Sequence, residues 1–153
     1  MARYVDAIDL PFSPIAAFDY LAGLHHTADW DPGVSEARRL DPERPLGRGS
    51  RFEVVARFLG RRVPMTYEIT GYEPPHRLVL RGRAGGVLSI DTITFAPVPG
   101  GTRVTYEARL ELAGLARVFD PVLDLLFQRI GARAARGLRE RARVLARRSR
   151  RAA

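Results

Sequence analysis

Asp91 is the residue whose type and setting could most directly do chemistry. It falls in phase with Ile93 and Phe95 in a stretch, residues 87–96, whose alternation reads as a β-strand, so its carboxyl is expected to point inward. Burial disfavours the charged carboxylate and raises its pKa, which suits it to general acid or base work. The competing reading is a strand-end carboxylate paired with an arginine. Tyr67 and Tyr106 are also in phase with apolar neighbours. A buried phenol can orient a carbonyl or donate a proton, or it can be an ordinary core tyrosine with its hydroxyl satisfied. Asp91 and Tyr67 are therefore the catalytic candidates, if a reaction is catalysed. Ser89 offers a hydroxyl, but no serine–histidine–acid pattern accompanies it.

The one cluster of metal-ligating types is His25-His26-Thr27-Ala28-Asp29-Trp30-Asp31. Adjacent helical residues point about 100° apart, so only His25 and Asp29 share a face. Two ligands fall short of the three or four a zinc site needs, and neither a metal nor a cofactor is expected. Trp30 is expected as an anchor at a cavity mouth, and His76, after two prolines, as an exposed loop residue. Residues 82–86, Gly-Arg-Ala-Gly-Gly, lack the strand-to-helix setting of a phosphate-binding motif and read as a hairpin turn. With no cysteine, disulfides, thiolate ligands and cysteine nucleophiles drop out. All 25 basic residues are arginine, so no lysine is present for Schiff-base chemistry.

The elements that would position these groups are legible from periodicity. Residues 3–10 alternate as a first strand ended by Pro11. Ser13-Pro14 is a cap-plus-proline helix start, followed by Ile15, Phe18, Leu21 and Leu24 on one face. A second short helical segment, 25–30, stops at Asp31-Pro32-Gly33, a turn signal. From Val34 the period becomes two. A polar, edge-like strand (34–40) leads through a Pro- and Gly-rich loop to Phe52, Val54, Ala56 and Phe58 alternating with polar residues. Gly60-Arg61 is the expected hairpin turn before Val63, Met65, Tyr67 and Ile69. Pro74-Pro75 marks the next turn, then come a short strand (78–81), the strand bearing Asp91, a turn at Pro99-Gly100-Gly101, and a strand with Val104, Tyr106, Ala108, Leu110 and Leu112 on one face.

Short turns favour an antiparallel meander. The next segment, 119–145, reads as one long helix with Phe119, Val122, Leu123, Leu126, Phe127, Ile130, Ala134, Leu138, Ala142 and Leu145 on one stripe. Asp120-Pro121 is its expected start. Such a stripe needs a sheet to cover it. Its bulky first half is expected to pack, and its small middle, Gly131 to Gly137, to border any gap.

A chain of 153 residues, 46 % hydrophobic, fits one domain, placed at residues 1–147 with a frayed arginine-rich tail at 148–153. No apolar run approaches the roughly 20 residues of a membrane helix. The start, MARYVDAIDLPF, lacks the apolar core of a secretory signal, so a cytoplasmic location is expected. Charge is uneven: ten arginines lie between Arg129 and Arg151 against Glu140, while residues 1–128 hold 15 arginines and 16 acids. This is either an electrostatic patch for nucleic acid or an anionic surface, or the solvated outer face of a docked helix. The second reading is favoured, because the arginines mostly avoid the apolar stripe and no aromatic residue is interleaved with them.

Several features together resemble a known family. They are Ser13-Pro14 opening the first helix, Trp30-Asp31-Pro32 after the second, Gly47-x-Gly49 before a strand, Tyr72-Glu73-Pro74-Pro75 followed by Arg77-Leu78, and Gly100-Gly101-Thr102-Arg103-Val104. With the order of elements, they resemble the polyketide cyclase/dehydrase branch of the START-like superfamily, which shares the helix-grip fold of the birch pollen allergen family. The resemblance covers roughly residues 5–145 and rests on turn and packing positions. It implies an α+β fold, a seven-stranded curved antiparallel sheet wrapped around the long helix, with two short helices after the first strand and a cavity between sheet and helix. Members include aromatase/cyclases, lipid and hormone binders and proteins of unassigned role, so the fold does not choose among them.

The resemblance and the small residues of the helix together point to an apolar or aromatic small molecule as the partner. The residues expected to line its site are Trp30, Phe52, Val54, Phe58, Met65, Tyr67, Asp91, Ile93, Phe95, Tyr106, Phe127 and Gly131. Simple binding is the first reading. An aromatase/cyclase-type enzyme is the second, with Asp91 or a tyrosine moving protons while the pocket folds a poly-β-ketone chain. There Arg57 and Arg81 matter only if they face inward, and alternation argues against that for Arg57. An interaction protein using the basic helix is the third.

Overall fold

The computed structural model describes residues 2–113 and 120–152. Strand β1 (Ala2–Leu10) leads into helix α1 (Pro14–Ala22), a 3₁₀ turn (Leu24–His26) and a short helix α2 (Thr27–Trp30). Six strands follow: β2 (Val34–Arg39), β3 (Arg51–Phe58), β4 (Arg61–Glu73), β5 (Arg77–Ala84), β6 (Val87–Val98) and β7 (Gly101–Leu112). The long helix α3 (Asp120–Ala152) comes last. Neighbouring strands are antiparallel, in the order β1-β7-β6-β5-β4-β3-β2. The six later strands are thus the expected meander, β1 returns beside β7, and the polar β2 is an edge. The architecture is the α+β grip expected from the sequence, with α3 held against the sheet along β1. No described helix is long and apolar enough to cross a membrane.

Local sequence accounts for the elements. Ser13 Oγ accepts from the Ala16 N–H at 3.3 Å, and Pro14 supplies a preset first turn for α1. On β1, Ala2, Tyr4, Ile8 and Leu10 are buried while Arg3, Val5 and Asp9 face water, which is the period of two made visible. The core gathers at one end of the sheet. There Phe18 and Leu21 of α1 join Phe52, Ile69, Leu78, Phe95 and Val104 of the sheet in one buried cluster, to which α3 adds Leu138 and Ala142. The Phe18 ring sits 5.1 Å from Tyr72 and 5.2 Å from Phe95.

Four expectations need correction. The β3–β4 turn is Leu59-Gly60, one residue earlier than expected, because Arg61 already pairs with Phe58. Both turn residues have positive φ, 49° and 75°, the pattern of a type I′ hairpin whose twist matches its strands. Residues 82–84, read as loop, continue β5, and Gly82 is there for packing: a Cβ on it would stand 2.6 Å from the Tyr67 ring across the ladder. Val122 is 69 % exposed and falls off the buried stripe of α3, which keeps the expected Leu123, Leu138 and Ala142 and adds Ala135 and Ala146. Residues 148–152, expected to fray, extend α3 by more than a turn. Phe119 and the side chain of Asp120 lie outside the described residues.

Leu59 carries a testable cost. A non-glycine residue in the left-handed region loses about 1–2 kcal/mol, and Asn tolerates it best. Leu59 is 75 % exposed, so little packing is lost on replacement. Leu59→Asn is expected to raise unfolding free energy in urea by about 1 kcal/mol. Equal or lower stability would show that the turn carries no such strain.

Candidate functional site

Beyond the α1-covered core, the sheet and α3 diverge around a cavity of about 350 Å³. Its walls come from every strand except β2's polar stretch. β3 supplies Val54 and Phe58, β4 Val63, Met65 and Tyr67, β6 Ser89, Asp91 and Ile93, β7 Tyr106 and Ala108, and α3 Leu123, Phe127, Ile130, Gly131 and Ala134. Of the residues expected to line a site, Trp30, Val54, Phe58, Met65, Tyr67, Asp91, Ile93, Tyr106, Phe127 and Gly131 border this cavity. Phe52 and Phe95 do not. Both point to the same face as their neighbours, but they sit at the end of the sheet that α1 fills, and they are 0 % and 5 % exposed in the core. The expected division of α3 also changes: its bulky first half, through Leu123, Phe127 and Ile130, borders the cavity as much as its small middle does. Gly131 is small for a second reason, since a Cβ there would lie 2.6 Å from the Tyr4 ring.

The polar part of the wall centres on Asp91. It is 4 % exposed and accepts from Ser89 Oγ at 2.6 Å and from the Tyr106 hydroxyl at 2.7 Å. No arginine pairs with it among the described residues, so the ion-pair reading is replaced by a neutral hydroxyl pair. Burial pushes the Asp91 carboxyl above the usual carboxylate range, against the pull of the two hydrogen bonds. Tyr106 and Tyr67 are pushed up by burial first and by the Asp91 charge second, so both phenols stay protonated at neutral pH. The cluster can hold or pass a proton, and it offers hydroxyl donors in an otherwise apolar wall.

A second carboxyl was missed. Asp31 borders the cavity, accepts from the Gly33 N–H at 2.7 Å, and is raised by burial to about 6. Its Asp-Pro-Gly setting spells a turn, and nothing in the periodicity says that the turn closes over a cavity. Tyr4 was missed as well, although it shares the inward phase of Ile8 and Leu10. Its hydroxyl donates to Asp6 Oδ2 at 3.1 Å, and burial raises its pKa to about 12. Arg57 borders the cavity despite the alternation, because it stands where β3 meets Gly33 at the rim; its backbone N–H donates to the Gly33 carbonyl at 2.6 Å.

His25, His26 and Asp29, the ligand types of the histidine cluster other than Asp31, do not border this cavity. The pair that approaches is His26 Nδ1 and Asp29 Oδ2 at 3.7 Å, not His25 and Asp29. Residues 24–26 form a 3₁₀ turn, and its three-residue repeat turns His26 rather than His25 toward Asp29. His26 also stacks on Tyr20, with ring centroids 4.7 Å apart.

Residues 1–143 match the family described as polyketide cyclase / dehydrase and lipid transport. An uncharacterised protein of Mycobacterium tuberculosis is 31 % identical over 140 residues, covering 91 % of this chain and 90 % of its own. Among solved structures, a START superfamily protein from Mycobacterium smegmatis superposes with a TM-score of 0.77 at 12 % identity, covering 95 % of this chain and 99 % of that one. A Thermus thermophilus protein superposes with a TM-score of 0.75 at 20 % identity, covering 94 % and 98 %. At such identities these two likenesses speak for the fold.

Proposed function

Because the chain belongs to the polyketide cyclase/dehydrase and lipid transport family, we propose that it binds a hydrophobic or aromatic small molecule between the sheet and α3. The observation that carries this reading is the apolar-walled cavity of about 350 Å³. Ligand pockets of this kind begin near 300 Å³ and carry a few placed polar groups on mostly apolar walls. Asp91, Tyr67 and Tyr106 are such groups. Were a void of that volume sealed and dry, it would cost on the order of 8 kcal/mol at about 24 cal/mol per Å³. That is comparable to the whole stability of a domain, so packing alone gives no reason to keep it.

Ala108 stands opposite Asp91 on β7 and borders the cavity, so a phenylalanine there would project into the space. Wild-type protein is expected to bind the neutral fluorophore phenylnaphthylamine with enhanced emission. Ala108→Phe should abolish that binding and shift the unfolding free energy by less than about 1 kcal/mol, whereas overpacking a filled core costs about 1–3 kcal/mol. No binding by wild type, or binding by the variant equal to wild type, would sink the reading.

A second reading is favoured by the buried Asp91–Ser89–Tyr106 cluster: a cyclase-type enzyme. The pocket would bring a carbon nucleophile and a carbonyl of one chain together, with Asp91 taking a proton and a phenol donating one. Under this reading Asp91→Asn keeps ligand binding and loses turnover of a poly-β-ketone substrate. Product formation unchanged in both Asp91→Asn and Tyr67→Phe would eliminate these residues as catalysts.

A further inference from the structure

Outside the cavity lies a groove between α2 and α3, and the two share Trp30, Asp31, Val34 and Arg57 as walls. The groove is therefore the cavity's approach. Its far wall carries Arg133 and Arg136 of α3. Among the described residues, neither they nor Arg57 has a carboxylate within 4.0 Å, unlike Arg139 with Asp6 and Arg141 with Asp29. Three guanidinium groups without such partners, from two different elements, thus flank the opening of an apolar space.

Acids are present too. Glu140 and Asp29 line the groove, and Asp31 sits between groove and cavity. Asp29 lies 3.7 Å from His26 and 4.0 Å from Arg141, and Asp31 is held by the Gly33 N–H. Counted together, Arg57, Arg133, Arg136 and Arg141 face Asp29, Asp31 and Glu140, four positive charges against three negative, so the surplus at the opening is positive.

We propose that the opening is an anion subsite and that the occupant is an amphipathic acid, its apolar body in the cavity and its carboxylate among Arg57, Arg133 and Arg136. This rests on the cavity being a ligand site and names the ligand's class. Guanidinium groups suit the part, since they stay charged at any working pH and present forked donors to a carboxylate. A space of about 350 Å³ holds on the order of ten to twenty non-hydrogen atoms, since a water takes roughly 30 Å³ in the liquid and the bonded atoms of a ring system take less. That size suits a medium-length chain or a small ring system.

The test is displacement of phenylnaphthylamine by decanoate and by decanol, for wild type and for the double variant Arg133→Gln/Arg136→Gln. Both arginines are exposed, so the variant should fold. Decanoate is expected to bind wild type more tightly than decanol, and added salt should narrow the gap. In the variant decanoate should weaken by about tenfold to a hundredfold, the equivalent of one charge-assisted hydrogen bond, with decanol unchanged. Equal decanoate affinity in variant and wild type, or an equal loss for both probes, overturns the anion subsite while leaving the cavity as a binding site. Failure of wild type to bind phenylnaphthylamine or either competitor overturns the cavity reading and the subsite with it.

Discussion

Gly137→Ala is expected to destabilise the protein by about 1–3 kcal/mol, the range for forcing extra atoms into a packed contact. Helix propensity predicts the opposite sign: alanine in a helix interior is better than glycine by about 1 kcal/mol. The close approach of α2 decides between them. A methyl on Gly137 would overlap the Trp30 carbonyl oxygen, with the carbonyl carbon at 3.1 Å and Pro32 Cδ at 3.2 Å. Backbone atoms cannot swing aside as a side chain can, so α2 and the Asp31-Pro32 turn would have to lift off α3. Trp30 is the chain's single tryptophan and borders both groove and cavity, so its emission reports that movement directly. The expected result is a lower unfolding temperature together with a red-shifted Trp30 spectrum. A variant about 1 kcal/mol more stable, with an unchanged spectrum, would mean that the contact between α2 and α3 is not as close as described.

The same glycine shows why the fold was more legible than the site. Strand phase, turn residues and caps act over a few neighbours, and they placed seven strands and the long helix. Phase also predicted that Phe52, Val54, Phe58, Ile93 and Phe95 share a face, which they do. It could not say where along each strand α1 stops covering that face, and this boundary separates the core residues Phe52 and Phe95 from Phe58 and Met65 at the cavity. Glycines that read as loop or as gap, Gly82, Gly131 and Gly137, are points where a ring or a backbone from a distant element touches the chain. No local pattern encodes those partners. Asp31 is hidden for the same reason: its turn chemistry is plain, but its burial depends on α3, more than a hundred residues away in the chain.

The cluster around Asp91 joins stability to pH, and here the second large effect is expected. Asp91→Ala removes the acceptor for two hydroxyls, Ser89 Oγ and the Tyr106 phenol. Leaving a buried polar group unsatisfied costs about 1–3 kcal/mol, so for two hydroxyls a loss of about 2–6 kcal/mol is expected in acid, shrinking as pH rises and the buried Asp91 carboxyl of the wild type ionises. Asp91→Asn behaves differently. Its oxygen can still accept from Tyr106 and its amide can donate to Ser89 Oγ, as the protonated acid does, so only the Ser89 O–H must turn to another acceptor. It also cannot ionise.

In the wild type, both Asp91 and Asp31 have folded pKa values above the ordinary carboxylate value, because burial disfavours their charge. The folded state therefore binds more protons than the unfolded state between the two values, and stability falls as pH rises. For Asp31 that window runs from the ordinary carboxylate value near 3.8 up to about 6. The contribution is fully present below the window and gone above it. Asp91→Asn should thus match the wild type in acid and equal or exceed it at neutral pH, while Asp31→Asn should flatten the slope across its own window. Urea midpoints at mildly acidic and mildly alkaline pH separate the cases. An Asp91→Asn variant that is weaker than wild type only at neutral pH would mean that the ionised carboxylate is the stabilised form. Asp91 would then be poised to accept a proton rather than to hold one.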